Sequence, residues 1–341
     1  MSASLRYIKE ISSTHQETQF SGLNNLLIFV SKEEQCPFHQ LYSNGTMMLI
    51  VPFLTHENPD FQSIALSILI NCTCAPERHI DSLLEQNILE ILVKLLSSDS
   101  YLIIGKVLSI LGNLCSSSQK AMKALLPMNP LTLIWEFLTE SPTLYSPHPN
   151  LCWFISSLSV NPISALEISD QQTLLKYLWE CSQLENFSII QDSLWALASF
   201  LDDQDLITIF SSVANLLKLV AFLGNDCLEI SLSALKICVN ISFGSDILCV
   251  QLGQADIYTQ LHMLLQNDSV QIISEVCIIL GNMIKASSQL AILFLNSDIP
   301  FDLRDIICQI PQLQCKNQIV ELFSTFQTLY PGLEIPFSIE T

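Results

Sequence analysis

The chain has 341 residues, half of them hydrophobic, with 14 Lys and Arg against 33 Asp and Glu and a formal net charge of −19. That length exceeds a single ordinary core and calls for two domains or one elongated array. An isoelectric point near 4.5 excludes a phosphate-backbone binder, whose affinity rests on cationic side chains, and makes a basic partner the electrostatic complement.

In chain order, residues 1–17 read as a short N-terminal segment, with Arg6 and Lys9 the only Lys or Arg among the first twenty residues. Helical patterning then runs from 18 to 330, beginning with "NNLLIFVSKEE" around Phe29. "SILIN" ends at Asn71, and the "NCTC" beyond it holds Cys72 and Cys74 with no His or further Cys at metal-ligand spacing. The stretch from Arg78 to Ser118 predicts three helices. A short one passes through Leu83 and Leu84 to Asn87, a residue able to turn in the left-handed region. A second carries Leu89, Leu92, Val93 and Leu96, and "SSDS" supplies a loop and cap for a third that ends at Cys115.

Pro142, Pro147 and Pro149 mark the longest loop. "WFISS" and "WALAS" follow, ending at Ser157 and Ser199. The apolar run Leu206–Gly224 is long enough to span a bilayer, yet Lys218, Asn215 and a break near Ser211–Val213 divide it into two short amphipathic helices, so no membrane span is expected. "KICVN" ends at Asn240, "IILGN" at Asn282, and "IVELFSTFQTL" surrounds Ser324 before a tail, 331–341.

The motif apolar-x-apolar-small-Asn thus recurs at Asn71, Asn113, Ser157, Ser199, Asn240 and Asn282, in steps of 42, 44, 42, 41 and 42. One further period in each direction reaches the segments around Phe29 and Ser324, giving about eight units with atypical ends. Three helices per unit and no convincing strand predict an all-α solenoid. The twelve Cys lie mostly in apolar helical runs and read as reduced core residues.

Within the third helices, Asp192, Trp195 and Ser199 fall at offsets of zero, three and seven, along one stripe. An Asn side chain offers a donor and an acceptor, so Asn at one-repeat spacing can bond successive amides of an extended peptide. It can equally bond a carbonyl of the neighbouring repeat. A Trp four residues before that position can wall the aliphatic stem of Lys or Arg, with a cation–π attraction of about 0.5–2 kcal/mol, and nearby carboxylates select for positive charge. Trp135 and Trp179 fall in second helices and read as packing residues.

The period, the three-helix unit and the third-helix pattern resemble the armadillo repeats of importin-α, most closely in "NLCWFISSLSVNP" (150–162) and "QDSLWALASFLDD" (191–203). Lys236 in "ALKICVN" matches a basic residue that follows the two Trp repeats in that family, and "FVSKEEQCP" (29–37) resembles its first repeat. The resemblance implies a right-handed armadillo superhelix of about eight three-helix repeats, with outward amides along a concave groove that holds an extended basic peptide. It implies a peptide-binding set of Asn71, Asn113, Trp153, Ser157, Asp192, Trp195, Ser199, Lys236, Asn240, Glu275 and Asn282. The pattern is incomplete, because Trp stands at only two of six positions and both Trp repeats have Ser for Asn.

The implied function is a non-enzymatic adaptor of nuclear protein import, binding nuclear-localisation-signal-like cargo in cytoplasm and nucleus without cofactor, metal, nucleic acid or membrane. The alternative is an armadillo scaffold for protein–protein contacts unrelated to import. With so few cations near the N-terminus, a complex with importin-β is not expected. No catalytic constellation recurs at usable spacing.

Overall fold

A computed structural model describes residues 3–32, 38–74, 77–128, 130, 149–158, 168–267, 269–309 and 315–335. The described residues are helical throughout, with no strand among them. They form two compact units, Met1–Gln171 and Gln172–Thr341. The composition of the chain does not change at that division, which falls inside a helix, and it was not expected from the sequence.

In the first unit, α1 (Ala3–Ile11) packs on α2 (Gln16–Lys32). The expected boundary at residue 17 therefore falls inside a helix, and much of the N-terminal segment belongs to the stack. Next come α3 (Phe38–Ser43), α4 (Thr46–Ile50) with a 3-10 turn (Val51–Thr55), and α5 (Pro59–Cys72), then α6 (Glu77–Leu84), α7 (Ile88–Leu95) and α8 (Tyr101–Ser117). Helix α9 (Gln119–Leu125), a second 3-10 turn (Leu126–Met128) and α10 (Pro149–Leu158) follow. Trp135, Pro142 and Pro147 lie outside the described residues.

The second unit contains most of α11 (Ile168–Ser182), then α12 (Phe187–Phe200), followed by α13 (Gln204–Phe210), α14 (Val213–Leu223) and α15 (Leu228–Ser242). It continues with α16 (Asp246–Gln254), α17 (Ile257–Leu265) and α18 (Val270–Ala286), and ends with α19 (Ser288–Asn296), α20 (Ile299–Gln309) and α21 (Lys316–Leu329). The third helix of each repeat packs on its neighbour, α2 on α5, α5 on α8 and α8 on α10 in the first unit, α12 on α15, α15 on α18 and α18 on α21 in the second. Second helices do likewise, α14 on α17 and α17 on α20. Each repeat buries its apolar face only against those beside it, so stability is a chain of nearest-neighbour interfaces.

Local chemistry repeats with the same period. Gly45, Asn87 and Asp256 have φ of 75°, 53° and 61°, each just before a second helix. This left-handed residue turns the first helix of a repeat sharply into the second, and Gly, Asn and Asp are the residues that tolerate it best. Asn58, Ser118 and Asn186 accept amide hydrogens at helix starts. Ser100 stands at the start of α8 without such a bond, and the cap expected from "SSDS" is reduced to Ser98 Oγ accepting from the Ser100 amide.

The run Leu206–Gly224 is broken as expected, with α13 and α14 bent by 96°. Leu206, Ile207, Phe210, Leu216, Leu219, Val220 and Leu223 are buried. No single helix among the described residues is long and apolar enough to cross a membrane. Trp179 packs edge-on against Phe210 and Phe222, with ring centroids 4.9 and 6.3 Å away.

Candidate functional site

The repeated Asn residues turn toward the stack. Asn113 Nδ2 donates to the Ile70 carbonyl at 3.3 Å and to Thr73 Oγ1 at 3.2 Å. Asn240 Nδ2 donates to the Ala198 carbonyl at 2.8 Å, and Asn282 Nδ2 to Ser242 Oγ at 3.0 Å. Ile70 and Ala198 each lie in the last turn of the preceding third helix, where carbonyls have no partner within the helix. The motif Asn therefore caps the helix one repeat back. Asn71 instead donates to Ser67 of its own helix at 2.9 Å. The expectation of four outward amides is corrected for Asn240, which is buried; Asn71, Asn113 and Asn282 are half-buried. For Asn113 and Asn240 a last-turn carbonyl of the preceding helix takes the amide donor in place of water, and for Asn282 a hydroxyl there does.

The two Trp differ. Trp195 on α12 is 57% exposed, whereas Trp153 on α10 is half-buried and laid against α8. A Cβ built at Gly112 would stand 2.5 Å from both Cδ1 and Nε1 of Trp153, so the indole occupies the space that the missing side chain leaves. Ser157 is buried and donates to the Trp153 carbonyl at 2.8 Å, while Ser199 is half-buried.

Asp192 is half-buried on the same stripe of α12 as Trp195, and burial pushes its carboxyl up to about 6. Glu275 on α18 is also half-buried and held above the usual carboxylate range by burial, opposed in part by a hydrogen bond from Gln271 and by attraction to Lys236. Its Oε2 is buried without a hydrogen-bond partner. Lys236 on α15 is exposed. Among the described residues no cation lies within ion-pair distance of Asp192 or Glu275, and no cluster of His, Cys, Asp and Glu could hold a metal ion.

Residues 76–116 match the family model of the Armadillo/beta-catenin-like repeat. They span one of the three-helix units described above, and the others repeat its packing. The chain has an armadillo-repeat fold. An engineered protein solved by the Northeast Structural Genomics Consortium is similar at a TM-score of 0.74, with 16% identity over 96% of this chain and 89% of that one. A designed armadillo repeat protein gives a TM-score of 0.42 at 17% identity over 82% of this chain and 98% of its own. The first of these likenesses is one of fold. No curated protein matches the chain in sequence.

The armadillo stack also holds a residue that sequence reasoning missed. Lys106 on α8 extends its Nζ to α5 and donates to Ser63 O, Ser63 Oγ and Ser67 Oγ at 2.9, 2.6 and 2.7 Å. Burial lowers its pKa. Its position, three before Ser109, is the one that carries acids at Asp192 and Glu275, and that contrast was visible in the sequence. In this one repeat, the place of a selecting carboxylate is taken by a cation already bonded to its neighbour, while Ile64 and Asn150 stand at the matching positions beside it.

Proposed function

We propose that the chain is a non-enzymatic protein-interaction scaffold that holds an extended basic segment on the third-helix face of its second unit. The observation that carries this reading is the pair of half-buried carboxylates, Asp192 and Glu275, with no ion-pair partner among the described residues. Burial makes a carboxylate without an ion pair costly, for Glu275 only partly offset by Gln271 and Lys236, and a Lys or Arg from a partner relieves that cost while Trp195 covers its aliphatic stem beside Asp192. Lys236 stands between the two acids along the stack and spaces the partner's cations. Nuclear import is the narrower form of this proposal and rests on the resemblance to importin-α; the broader scaffold needs only the acids and the Trp.

Fluorescence anisotropy with a labelled Lys- and Arg-rich dodecapeptide tests it. Asp192→Asn with Glu275→Gln should weaken binding at least tenfold, Trp195→Ala severalfold, and added salt should weaken the wild type as exposed pairs are screened. Unchanged affinity in the double variant would remove the proposal.

A further inference from the structure

Gly112 and Gly281 occupy the same place in their repeats, each one residue before the motif Asn. At Gly112, the residue 41 positions on is Trp153, whose indole fills the space over the glycine. At Gly281, the residue 41 positions on is Leu322, whose Cδ1 would lie 3.8 Å from a Cβ built there. The smaller side chain leaves a groove of about 220 Å³ between α18 and α21.

Its apolar floor includes Gly281, Ile278 and Leu322, with Lys285 and Glu321 among the polar groups of its rim. Phe243, 61% exposed at the end of α15, supplies an aromatic wall. A ring in the groove would meet Phe243 in the offset or edge-on geometry that aromatic pairs favour, and Lys285 can place its ammonium over the ring.

We propose that this groove is a docking site for an aromatic side chain of a partner polypeptide, laid against Gly281 as Trp153 is laid against Gly112. The molecule itself shows the mode of binding: an indole fits a third-helix glycine when the residue opposite supplies it, and here the residue opposite does not. The site lies apart from Asp192. It rests on the scaffold reading only in taking a protein segment as its occupant, and an uncharged probe separates the two.

The test uses a fluorescein-labelled peptide of Gly, Ser and Thr with one central Trp, and the same peptide with Ala in its place. The Trp peptide should bind the full chain at least tenfold more tightly than the Ala peptide, and Asp192→Asn should leave that binding unchanged. Leu322→Trp, which would fill the groove from within, should cost at least tenfold. Phe243→Ala should cost about twofold to tenfold, the range of an aromatic pair. Should Leu322→Trp fail to fold, Gly281→Ala decides, because its methyl meets only ordinary contact at Leu322 and raises the groove floor, with a severalfold loss expected. The inference is overturned if neither peptide binds, if the two bind equally, or if the folded groove-filling variants bind the Trp peptide as the wild type does.

Discussion

Asn240 Nδ2 donates to the carbonyl of Ala198, 42 residues earlier, at 2.8 Å and away from solvent. Ala198 lies in the last turn of its helix, so the bond satisfies a group the helix cannot satisfy itself. Asn240→Ala should cost about 1–3 kcal/mol, since it leaves a buried carbonyl with one donor fewer. Urea unfolding measures this, and a loss no larger than that of an exposed Asn→Ala change would show that water replaces the amide.

The two motif glycines should respond in opposite directions. Gly112→Ala drives a methyl to within 2.5 Å of the Trp153 ring, so the indole or α10 must shift, and should cost about 1–3 kcal/mol. Gly281→Ala meets ordinary van der Waals contact and should gain up to about 1 kcal/mol from helix propensity. Paired thermal melts of the two variants provide the comparison, and equal shifts would contradict the difference in covering described here.

Lys106 ties α8 to α5 through three oxygens of Ser63 and Ser67. Lys106→Met keeps most of the apolar stem and removes the donors, with an expected cost of about 1–3 kcal/mol. Lys106→Arg should not restore stability, because a planar guanidinium does not direct its hydrogens as a compact ammonium does. Full rescue by Arg would mean that charge alone matters at this position.

Burial raises the Asp192 carboxyl from about 3.8 to about 6, so the folded chain holds this proton more tightly than the unfolded chain does. Its contribution favours the folded state below about pH 4 and is lost as pH rises through about 6. Asp192→Asn should therefore raise the Tm by about 1–2 °C at pH 7.5 and leave it unchanged at pH 4. A basic peptide prefers the ionised carboxylate, so its affinity should climb between pH 5 and 7 in the wild type and stay flat in the Asn variant. Calorimetry at both pH values reads the two effects.

The period of about 42 residues and the third helices from Asn71 to Asn282 were legible because one motif marks them all. The helical run around Phe29 and the break at Ser211 were legible from apolar spacing. Helix α1 was missed although Leu5, Ile8 and Ile11 recur at helical spacing along it; nine residues set apart from the repeated motif gave no reason to join them to the stack. The direction of the Asn side chains was also hidden. The same amide can serve a peptide or a neighbouring carbonyl, and the choice turns on how closely a helix end approaches in space. For the groove at Gly281 the deciding fact is the size of Leu322, which no local reading of "IILGN" contains. The carboxylates at Asp192 and Glu275 were found from their place in the motif, but their burial, which gives them chemical interest, came only with the fold.

The 96° bend between α13 and α14 bears on how the chain is made. Helix α14 is covered by α15 and α17, both later in the sequence. The nineteen apolar-rich residues from Leu206 to Gly224 therefore leave the ribosome before either cover exists. At about 5–20 residues per second, the 41 residues from Gly224 to Leu265 take about 2–8 s to synthesise. During that interval the run has the length and hydropathy of a membrane anchor, with Trp179 of the earlier α11 already made to meet Phe210 and Phe222 but without the cover of α15 and α17. The segment exposed in that interval is one whose apolar side chains are largely hidden once the protein is folded.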